Sequence, residues 1–284
     1  MSHIFDALRK SEGSLDEAVF SGPDNLFEVF EKHENLVTVP ADHMRIKPED
    51  RLVVWDNPRS LWADQFRKLR MHLQKLQSAG KLKILLVTSP SPQDGKSTVA
   101  LNLATVLVGK EKNRILLIEA DLRCPSLIGR LGLDPWGGLS ECLESDTDPV
   151  RSVQRIEPLG FFLLPAGSPA RDPTELLQLD RLTEIIRSLS ASFDFILVDS
   201  PPAGPMADTL ALKSKADASL LVVRAAKTVR ESVEQSIQML GKNHVLGIIL
   251  NGLAGLEKEY SHYYQRYYTQ SVQPGDPSSG QSAR

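Results

Sequence analysis

The sequence predicts a doubly wound α/β fold, in which helices cover both faces of a mostly parallel sheet. Short runs of Ile, Leu and Val recur along the chain, and stretches of helix length separate them. Strands buried on both faces have this near-continuous apolar pattern, and parallel strands need a crossover between them. The chain has 284 residues, of which 41% are hydrophobic and 24% are charged. It is therefore long enough for one sizeable domain with extensions.

The first predicted element is an amphipathic helix of about 16 residues that begins at Ser60 and ends near Gly80. Its apolar residues recur at roughly helical spacing: Leu61, Phe66, Leu69 and Leu73. Asp172 and Pro173 are typical of a helix N-terminus, so a helix is expected from there to residue 190. A further helix is expected at 97–108, and strands are expected at 83–88, 114–120, 161–164, 193–199, 218–224 and 245–251.

The two ends of the chain differ in composition from the middle. The expected division is an acidic, largely flexible extension at 1–50, a core domain at 51–256 and a flexible tail at 257–284. The extension has 11 Asp/Glu against five Lys/Arg and no sustained periodicity. Ile4, Phe5 and Leu8 make a short apolar stripe near its start, which fits a frayed helix as well as a docking peptide.

Charge and hydropathy limit the partners of the chain. The net charge of -3 gives no bulk attraction to nucleic acid or anionic lipid, so no nucleic-acid partner is expected. The sequence has neither an apolar run of membrane-spanning length nor the apolar core of a signal peptide. A cytoplasmic location is expected, and work at the inner face of a membrane would need a partner that recruits the chain there.

A phosphate-binding loop is expected directly after the strand at 83–88. The loop ends in Asp94-Gly95-Lys96-Ser97-Thr98, and a helix follows it. This strand–loop–helix context is the one that the P-loop motif requires. Gly95 lets the backbone approach a phosphate, Lys96 supplies a positive charge to the β- and γ-phosphates, and the Ser97 hydroxyl can ligate Mg²⁺. The sequence therefore predicts ATP and Mg²⁺ as cofactors.

Two carboxylates follow predicted strands and support the nucleotide site. Asp121 comes just after the strand at 114–120, and Asp199 ends the strand at 193–199. The carboxyl ends of parallel strands converge on the crevice where the P-loop lies. Asp199 is thus expected to hold Mg²⁺ as a Walker B residue.

The tyrosines are concentrated in one short segment. All five lie in the tail, and they are Tyr260, Tyr263, Tyr264, Tyr267 and Tyr268. Tyrosine normally helps to fill cores and interfaces, yet the first 259 positions have none. The distribution indicates that exposed phenol hydroxyls are needed, and the P-loop supplies a group with which they could react.

Together these motifs resemble the catalytic domain of the bacterial tyrosine autokinases (BY-kinases) of capsule and exopolysaccharide production. The resemblance covers roughly residues 57–268. It rests on the P-loop, the Walker A′ stretch Ile118–Pro125, the Walker B stretch Val198–Pro202 with Asp208 beyond it, Asn251 and the tyrosine cluster. It implies a P-loop NTPase fold of the partition and septum-site ATPase group, and an ATP-dependent protein-tyrosine kinase that phosphorylates its own tail.

The resemblance also implies an assembly. Asp64, Arg67 and Arg70 resemble the family's Glu-x-x-Arg-x-x-Arg motif, which packs subunits into a ring, with Asp64 where the family usually has Glu. A chain without a membrane span resembles the split form, whose activator is the cytosolic tail of a separate membrane polysaccharide co-polymerase. A tyrosine phosphatase is a further expected partner.

The loop also departs from the family pattern. Gln93 stands where these kinases usually have Gly, and Pro90 replaces the first glycine of the standard motif. Gln93 could therefore slow turnover, or the chain could be a degenerate kinase. The related partition and septum-positioning ATPases usually have a second lysine at the position of Ser91, and nothing in their work calls for a tyrosine tail. A non-kinase ATPase that positions a membrane complex remains the alternative.

The expected catalytic roles follow from the chemistry of the phenol. The phenol has a pKa of about 10 and stays protonated at neutral pH, so the tyrosine needs a proton acceptor to act as a nucleophile. Asp121 is the candidate for that role. Arg123 fits a phosphate contact and a structural ion pair equally well, and Asn251 fits an adenine contact and a turn role about equally.

Overall fold

A computed structural model describes residues 38–47, 51–109, 113–145, 147–204 and 207–253. The predicted tail, including the tyrosine cluster, lies outside these residues, as does most of the predicted extension. The described part forms an eight-stranded sheet with helices on both sides. Within these ranges, none of the helices combines the length and apolar character that a bilayer crossing requires.

Helices separate most of the strands along the chain, as the sequence predicted, although β4 and β5 follow one another without a helix between them. The strands are β1 Thr38–Val39, β2 Ile84–Thr88, β3 Ile115–Glu119, β4 Gln154–Ile156, β5 Phe162–Leu164, β6 Phe195–Asp199, β7 Ala218–Arg224 and β8 Val245–Asn251. The helices are α1 Val53–Asp56, α2 Leu61–Ser78, α3 Lys96–Val108, α4 Leu127–Leu131, α5 Leu139–Glu144, α6 Pro173–Gln178, α7 Asp180–Ser190, α8 Ala207–Lys213 and α9 Arg230–Leu240. Short 3-10 turns lie at Ala41–His43 and Pro149–Ser152.

The sheet order brings the three site-bearing strands together. Its order is β1-β4-β5-β3-β6-β2-β7-β8. All pairs are parallel except β4 with β5, which is antiparallel. Since β6 lies between β2 and β3, the loops that follow these three strands share one edge of the sheet. The doubly wound, mostly parallel fold is confirmed.

The core is built from the apolar strands and from the helices that pack on them. Every residue of β3 and β6 is buried. The helix α3 is apolar on most of its circumference, because the sheet lies on one side of it and α2 lies on another. Ser60 caps the N-terminus of α2 by accepting a hydrogen bond from the Ala63 amide at 3.1 Å, which explains why the helix begins there.

Two expectations need correction. The single helix expected from Pro173 to residue 190 is two helices, with an extended residue, Leu179, between α6 and α7. Leu177 and Leu182 are both fully buried, and five positions along one unbroken helix they would point about 140° apart. The break lets both face the core. In addition, Thr38–Val39 pairs with β4, so the sheet includes residues that were expected to belong to the extension.

Candidate active site

The P-loop begins at Thr88 and ends in a left-handed glycine. Gly95 has φ +100° and is the N-cap of α3, which begins at Lys96. Because glycine has no side chain to cap the helix, the first backbone N–H groups of α3 remain for an anion. The side-chain position at Gly95 is filled by Asn251, whose Nδ2 would lie 2.0 Å from an added Cβ. Only glycine fits this position.

The side chain of Lys96 lies between the two predicted carboxylates. Its Nζ is 2.8 Å from Asp121 Oδ2 and 3.9 Å from Asp199 Oδ1. The same Nζ donates to the Ser97 hydroxyl at 3.2 Å. The structure therefore brings together four residues from three separate segments that the sequence singled out.

Electrostatics link the charge states of these groups. Burial alone would lower the pKa of Lys96, but the carboxylates of Asp199 and Asp121 outweigh it, so this pKa is raised. Burial raises the pKa of Asp199 to about 6, although the Lys96 ammonium opposes the shift. The lysine thus remains a cation, while Asp199 is costly to ionise in its buried position.

The carboxylate of Asp199 is buried without hydrogen bonds. Neither oxygen accepts one of normal length from the described part of the chain, although the side chain is fully buried and the Lys96 ammonium and Ser97 hydroxyl lie close enough to lower its pKa. An unsatisfied buried carboxylate is unfavourable unless a cation compensates it. Magnesium is typically bound by one or two carboxylates, a hydroxyl and the substrate's phosphates. Asp199 and Ser97 therefore fit Mg²⁺.

The Walker A′ segment after β3 is fixed by two acidic residues. Asp121 accepts a hydrogen bond from the Cys124 amide at 3.1 Å, which leaves its other oxygen to Lys96. Glu119 accepts from the amides of Ser126 and Leu127 at 2.5 and 2.7 Å and so caps the start of α4. Burial raises the pKa of Glu119, and these amide hydrogen bonds oppose the shift. This role of Glu119 was not predicted from the sequence, because the partner amides of Ser126 and Leu127 lie beyond the motif that marks this segment.

Arg123 forms an ion pair with Asp208. Its Nε lies 2.6 Å from Asp208 Oδ2, and its Nη2 donates to the Thr174 hydroxyl at 2.6 Å. The Thr174 hydroxyl in turn donates to Asp208 at 2.6 Å. Thr174 lies on α6 and the fully buried Asp208 lies on α8, so this cluster joins the Walker A′ segment to both helices. Of the two roles considered for Arg123, the geometry favours the ion pair.

Asp94 shapes the loop instead of presenting its carboxylate to a ligand. Its Oδ2 accepts from the Ser91 amide at 3.0 Å, and its Oδ1 accepts from the Thr228 hydroxyl at 2.8 Å. The Asp94 carbonyl accepts from Asn251 Nδ2 at 2.9 Å. Both carboxylate oxygens of Asp94 are thus engaged by residues of the protein itself. No sequence pattern indicates Thr228 as its partner.

The residues predicted for oligomerisation lie on α2. Arg67 Nη1 pairs with Asp64 at 2.5 Å within the helix, and its Nη2 also bonds the Pro58 carbonyl. Arg70 instead donates to the Val106 carbonyl at 3.2 Å, in the last turn of α3. Arg70 therefore stabilises the C-terminus of the P-loop helix within its own chain. The role of Asp64, Arg67 and Arg70 in contacts between subunits stays a prediction.

The comparisons with known proteins agree with this geometry. The ParA family, described as NUBPL iron-transfer P-loop NTPase, matches residues 81–273. The tyrosine-protein kinase YwqD of Bacillus subtilis is 31% identical over 215 residues, which cover 75% of this chain and 90% of YwqD. The chain belongs to the family of bacterial tyrosine kinases. The predicted family and P-loop NTPase fold are thereby confirmed.

Other family members are similar over part of their length. The tyrosine-protein kinase wzc of Salmonella typhimurium is 31% identical over 226 residues, but the chain spans only 31% of it. The succinoglycan biosynthesis transport protein ExoP of Rhizobium meliloti is 29% identical, and the chain spans 33% of it. The kinase domain of Escherichia coli ETK superposes with a TM-score of 0.68 at 26% identity, covering 83% of this chain and 95% of that domain. The chain is thus comparable in extent to a family catalytic domain.

Proposed function

We propose that this protein is an ATP-dependent tyrosine kinase that phosphorylates its own C-terminal tyrosines. The observation that carries the proposal is the position of Lys96 at the P-loop, between Asp121 and the unsatisfied carboxylate of Asp199. Asp121 is suited to take a proton, and Asp199 is suited to hold a metal. Phosphoryl transfer needs mainly such alignment and neutralisation of charge.

Mg²⁺, held by Asp199 and Ser97, would neutralise negative charge on the phosphates. Lys96 is the residue that contacts the β- and γ-phosphates. When its ammonium turns from Asp121 to a phosphate, the Asp121 oxygen that it contacts at 2.8 Å becomes available. The phenol oxygen then bonds to the γ-phosphorus, the bond from that phosphorus to ADP breaks, and the phenol proton passes to Asp121.

The root of the tail supports this choice of substrate. The strand β8 ends at Asn251, which contacts the P-loop directly. Tyr260 is nine residues further along, a reach of up to about 30 Å. That distance suffices for a neighbouring active site, and ring assembly through the Asp64–Arg70 segment would favour phosphorylation in trans.

Phosphorylation would also change the assembly. Each phosphate adds roughly -1.5 to -2 charges at neutral pH, so five add on the order of -8 to -10. Tails with this charge repel one another and no longer dock beside a nucleotide. The proposed consequence is that the ring dissociates, and that cycling between the two states, with a phosphatase for the reverse step, regulates polysaccharide polymerisation and export.

The cellular setting is proposed from relatives. ExoP is named for succinoglycan biosynthesis and transport, and exopolysaccharide production is the corresponding role for this chain. A membrane polysaccharide co-polymerase would recruit the kinase to the inner face of the membrane and activate it. Assays should therefore include the cytosolic segment of a candidate co-polymerase.

Purified protein incubated with Mg-ATP, followed by mapping of phosphate by mass spectrometry, tests the activity. The proposal predicts phosphate on the tail tyrosines that is lost in Lys96→Met. ADP without phosphotyrosine, with and without the activator segment, would support the non-kinase ATPase instead.

A mixing experiment tests the trans step. Lys96→Met protein, which keeps its tyrosines, is incubated with protein whose five tail tyrosines are changed to Phe. Phosphate on the Lys96→Met chain can come only from its neighbour. If neither chain is labelled while wild type labels itself, phosphorylation is in cis. Native mass spectrometry of the phosphorylated and Tyr→Phe forms then compares their oligomeric states, and equal states would contradict the charge switch.

A further inference from the structure

The segment Arg224–Thr228 after β7 and the end of β8 contact the P-loop through three side chains. Arg224 Nη1 donates to the Gln93 carbonyl at 2.9 Å, and the Thr228 hydroxyl donates to Asp94 Oδ1 at 2.8 Å. Asn251, at the end of the neighbouring strand β8, donates to the Asp94 carbonyl at 2.9 Å. Two consecutive residues of the loop are thus held by Arg224, Thr228 and Asn251, which we call the clasp.

Thr228 is the central member of the clasp. Its hydroxyl has one hydrogen, which it gives to Asp94, and it accepts a hydrogen bond from the Arg224 amide at 2.8 Å. The turn between these two residues is closed by a bond from the Thr228 amide to the Arg224 carbonyl at 3.0 Å. The position of Asp94 is therefore fixed relative to β7, in the interior of the sheet.

The loop segment that the clasp holds is conformationally unfavourable by itself. Gln93 has φ +65° and Gly95 has φ +100°, so the loop passes through the left-handed region twice within three residues. A non-glycine residue rarely adopts this region without external support. The contacts to Gln93 and Asp94 supply such support directly before the amides at the start of α3 that face a phosphate.

We propose that the clasp holds the P-loop in its phosphate-binding shape, and that Thr228 is a positioning residue for nucleotide phosphates. Thr228 acts through Asp94 and does not itself touch the ligand. The proposal rests on the proposed function only in that the loop binds nucleotide. It also links the end of β8, from which the tail departs, to the P-loop, since Asn251 ends that strand and donates to the Asp94 carbonyl.

Binding measurements on Thr228 variants test this inference. Thr228→Val keeps the branched shape and loses the hydroxyl, whereas Thr228→Ser keeps the hydroxyl. We expect Thr228→Val to weaken binding of Mg-ADP and of Mg-tripolyphosphate by a similar factor, roughly 10-fold, and Thr228→Ser to bind within about 3-fold of wild type. Tripolyphosphate has no base, so it reports on the loop alone.

The outcomes distinguish this proposal from a merely structural role. Equal loss of affinity in both variants, or none in either, would overturn it. Nucleotide-free Thr228→Val should melt at a lower temperature than wild type, because the buried Asp94 carboxylate loses a hydrogen bond, so binding is compared well below that temperature. If that variant does not fold, Arg224→Ala, which removes the contact to the Gln93 carbonyl, must weaken tripolyphosphate binding, and unchanged affinity would overturn the inference. If Thr228→Val weakens tripolyphosphate binding but the wild-type protein never forms phosphotyrosine, the proposed kinase function is refuted and the positioning role of Thr228 still stands.

Discussion

The ammonium of Lys96 lies 2.8 Å from Asp121 Oδ2, so the phosphate-binding lysine and the candidate base are bonded to each other. A lysine that moves to a phosphate must break this contact. Nucleotide binding and release of the base would then be one event. The arrangement would limit proton transfer to complexes in which the P-loop holds its phosphates.

Asp121→Asn is expected to separate binding from catalysis. Asparagine retains an oxygen for the Cys124 amide but cannot accept a proton at neutral pH. We predict that the affinity for Mg-ATP is equal to or higher than that of wild type, because Lys96 no longer has to leave a carboxylate, while kcat falls by roughly 10²–10⁴. Asp134→Asn, which changes an exposed carboxylate outside the site, serves as the control. Unchanged kcat in Asp121→Asn would exclude Asp121 as the base.

Asp199→Asn is expected to alter the pH dependence of stability. The pKa of Asp199 is raised to about 6 in the folded state, so ionising the group destabilises the fold. Its unfavourable contribution grows as the pH rises from about 4 to 6, to a total of about 3 kcal/mol. The free energy of unfolding of nucleotide-free Asp199→Asn, relative to wild type, should therefore increase across this window and stay level above it.

Urea unfolding of both proteins between pH 4 and 8 gives this comparison. The same substitution should abolish stabilisation by Mg²⁺ with ATP, because it removes the proposed metal ligand. A relative stability that does not change with pH would contradict the proposed burial cost at Asp199.

Gln93→Gly tests whether the departure from the family loop is costly. Gln93 already adopts the left-handed conformation, with φ +65°, that a glycine would favour. Glycine removes the strain but adds freedom to the unfolded chain, and the two effects partly offset each other. We predict a stability equal to wild type or higher by up to about 1 kcal/mol, with nucleotide affinity within about 3-fold. Gln93→Val, with a branched side chain at the same φ, should be less stable than wild type. A large gain of kcat in Gln93→Gly would mean that Gln93 slows the reaction at the P-loop.

Arg70→Ala and Arg67→Ala should have different effects on folding. Arg70 donates to the last turn of α3, whereas Arg67 forms a partly buried pair with Asp64 within its own helix α2. We expect Arg70→Ala to lower the free energy of unfolding by about 1–2 kcal/mol and Arg67→Ala to lower it by less than about 0.5 kcal/mol. Thermal unfolding of dilute monomer measures both. If the two variants are equally stable, the expected folding role of Arg70 is contradicted. A loss of oligomers in Arg70→Ala would then be assigned to a contact between subunits.

Much of the fold could be predicted because its signals are local. The strands β7 and β8 begin and end where the apolar runs do, and Lys96 follows a strand in the context that the P-loop requires. Asp121 and Asp199 could be predicted to meet because parallel strands end at one edge. These inferences need only short-range pattern and a general rule of topology.

The parts that could not be predicted depend on long-range contacts. Thr228 meets Asp94, 134 residues earlier in the chain, and nothing in its own surroundings indicates this partner. The break at Leu179 likewise depends on which sides of α6 and α7 face the core. Arg123 could not be assigned to Asp208 because an arginine beside a P-loop suits a phosphate equally well.

The most direct test of the central claim is to measure ADP and phosphotyrosine in the same sample. Wild-type protein is incubated with Mg-ATP and the activator segment, and both products are quantified as the reaction begins. A tyrosine kinase produces one phosphotyrosine for each ADP, and Lys96→Met produces neither. Sustained ADP release without phosphate on the tail would contradict the account and identify the protein as an ATPase.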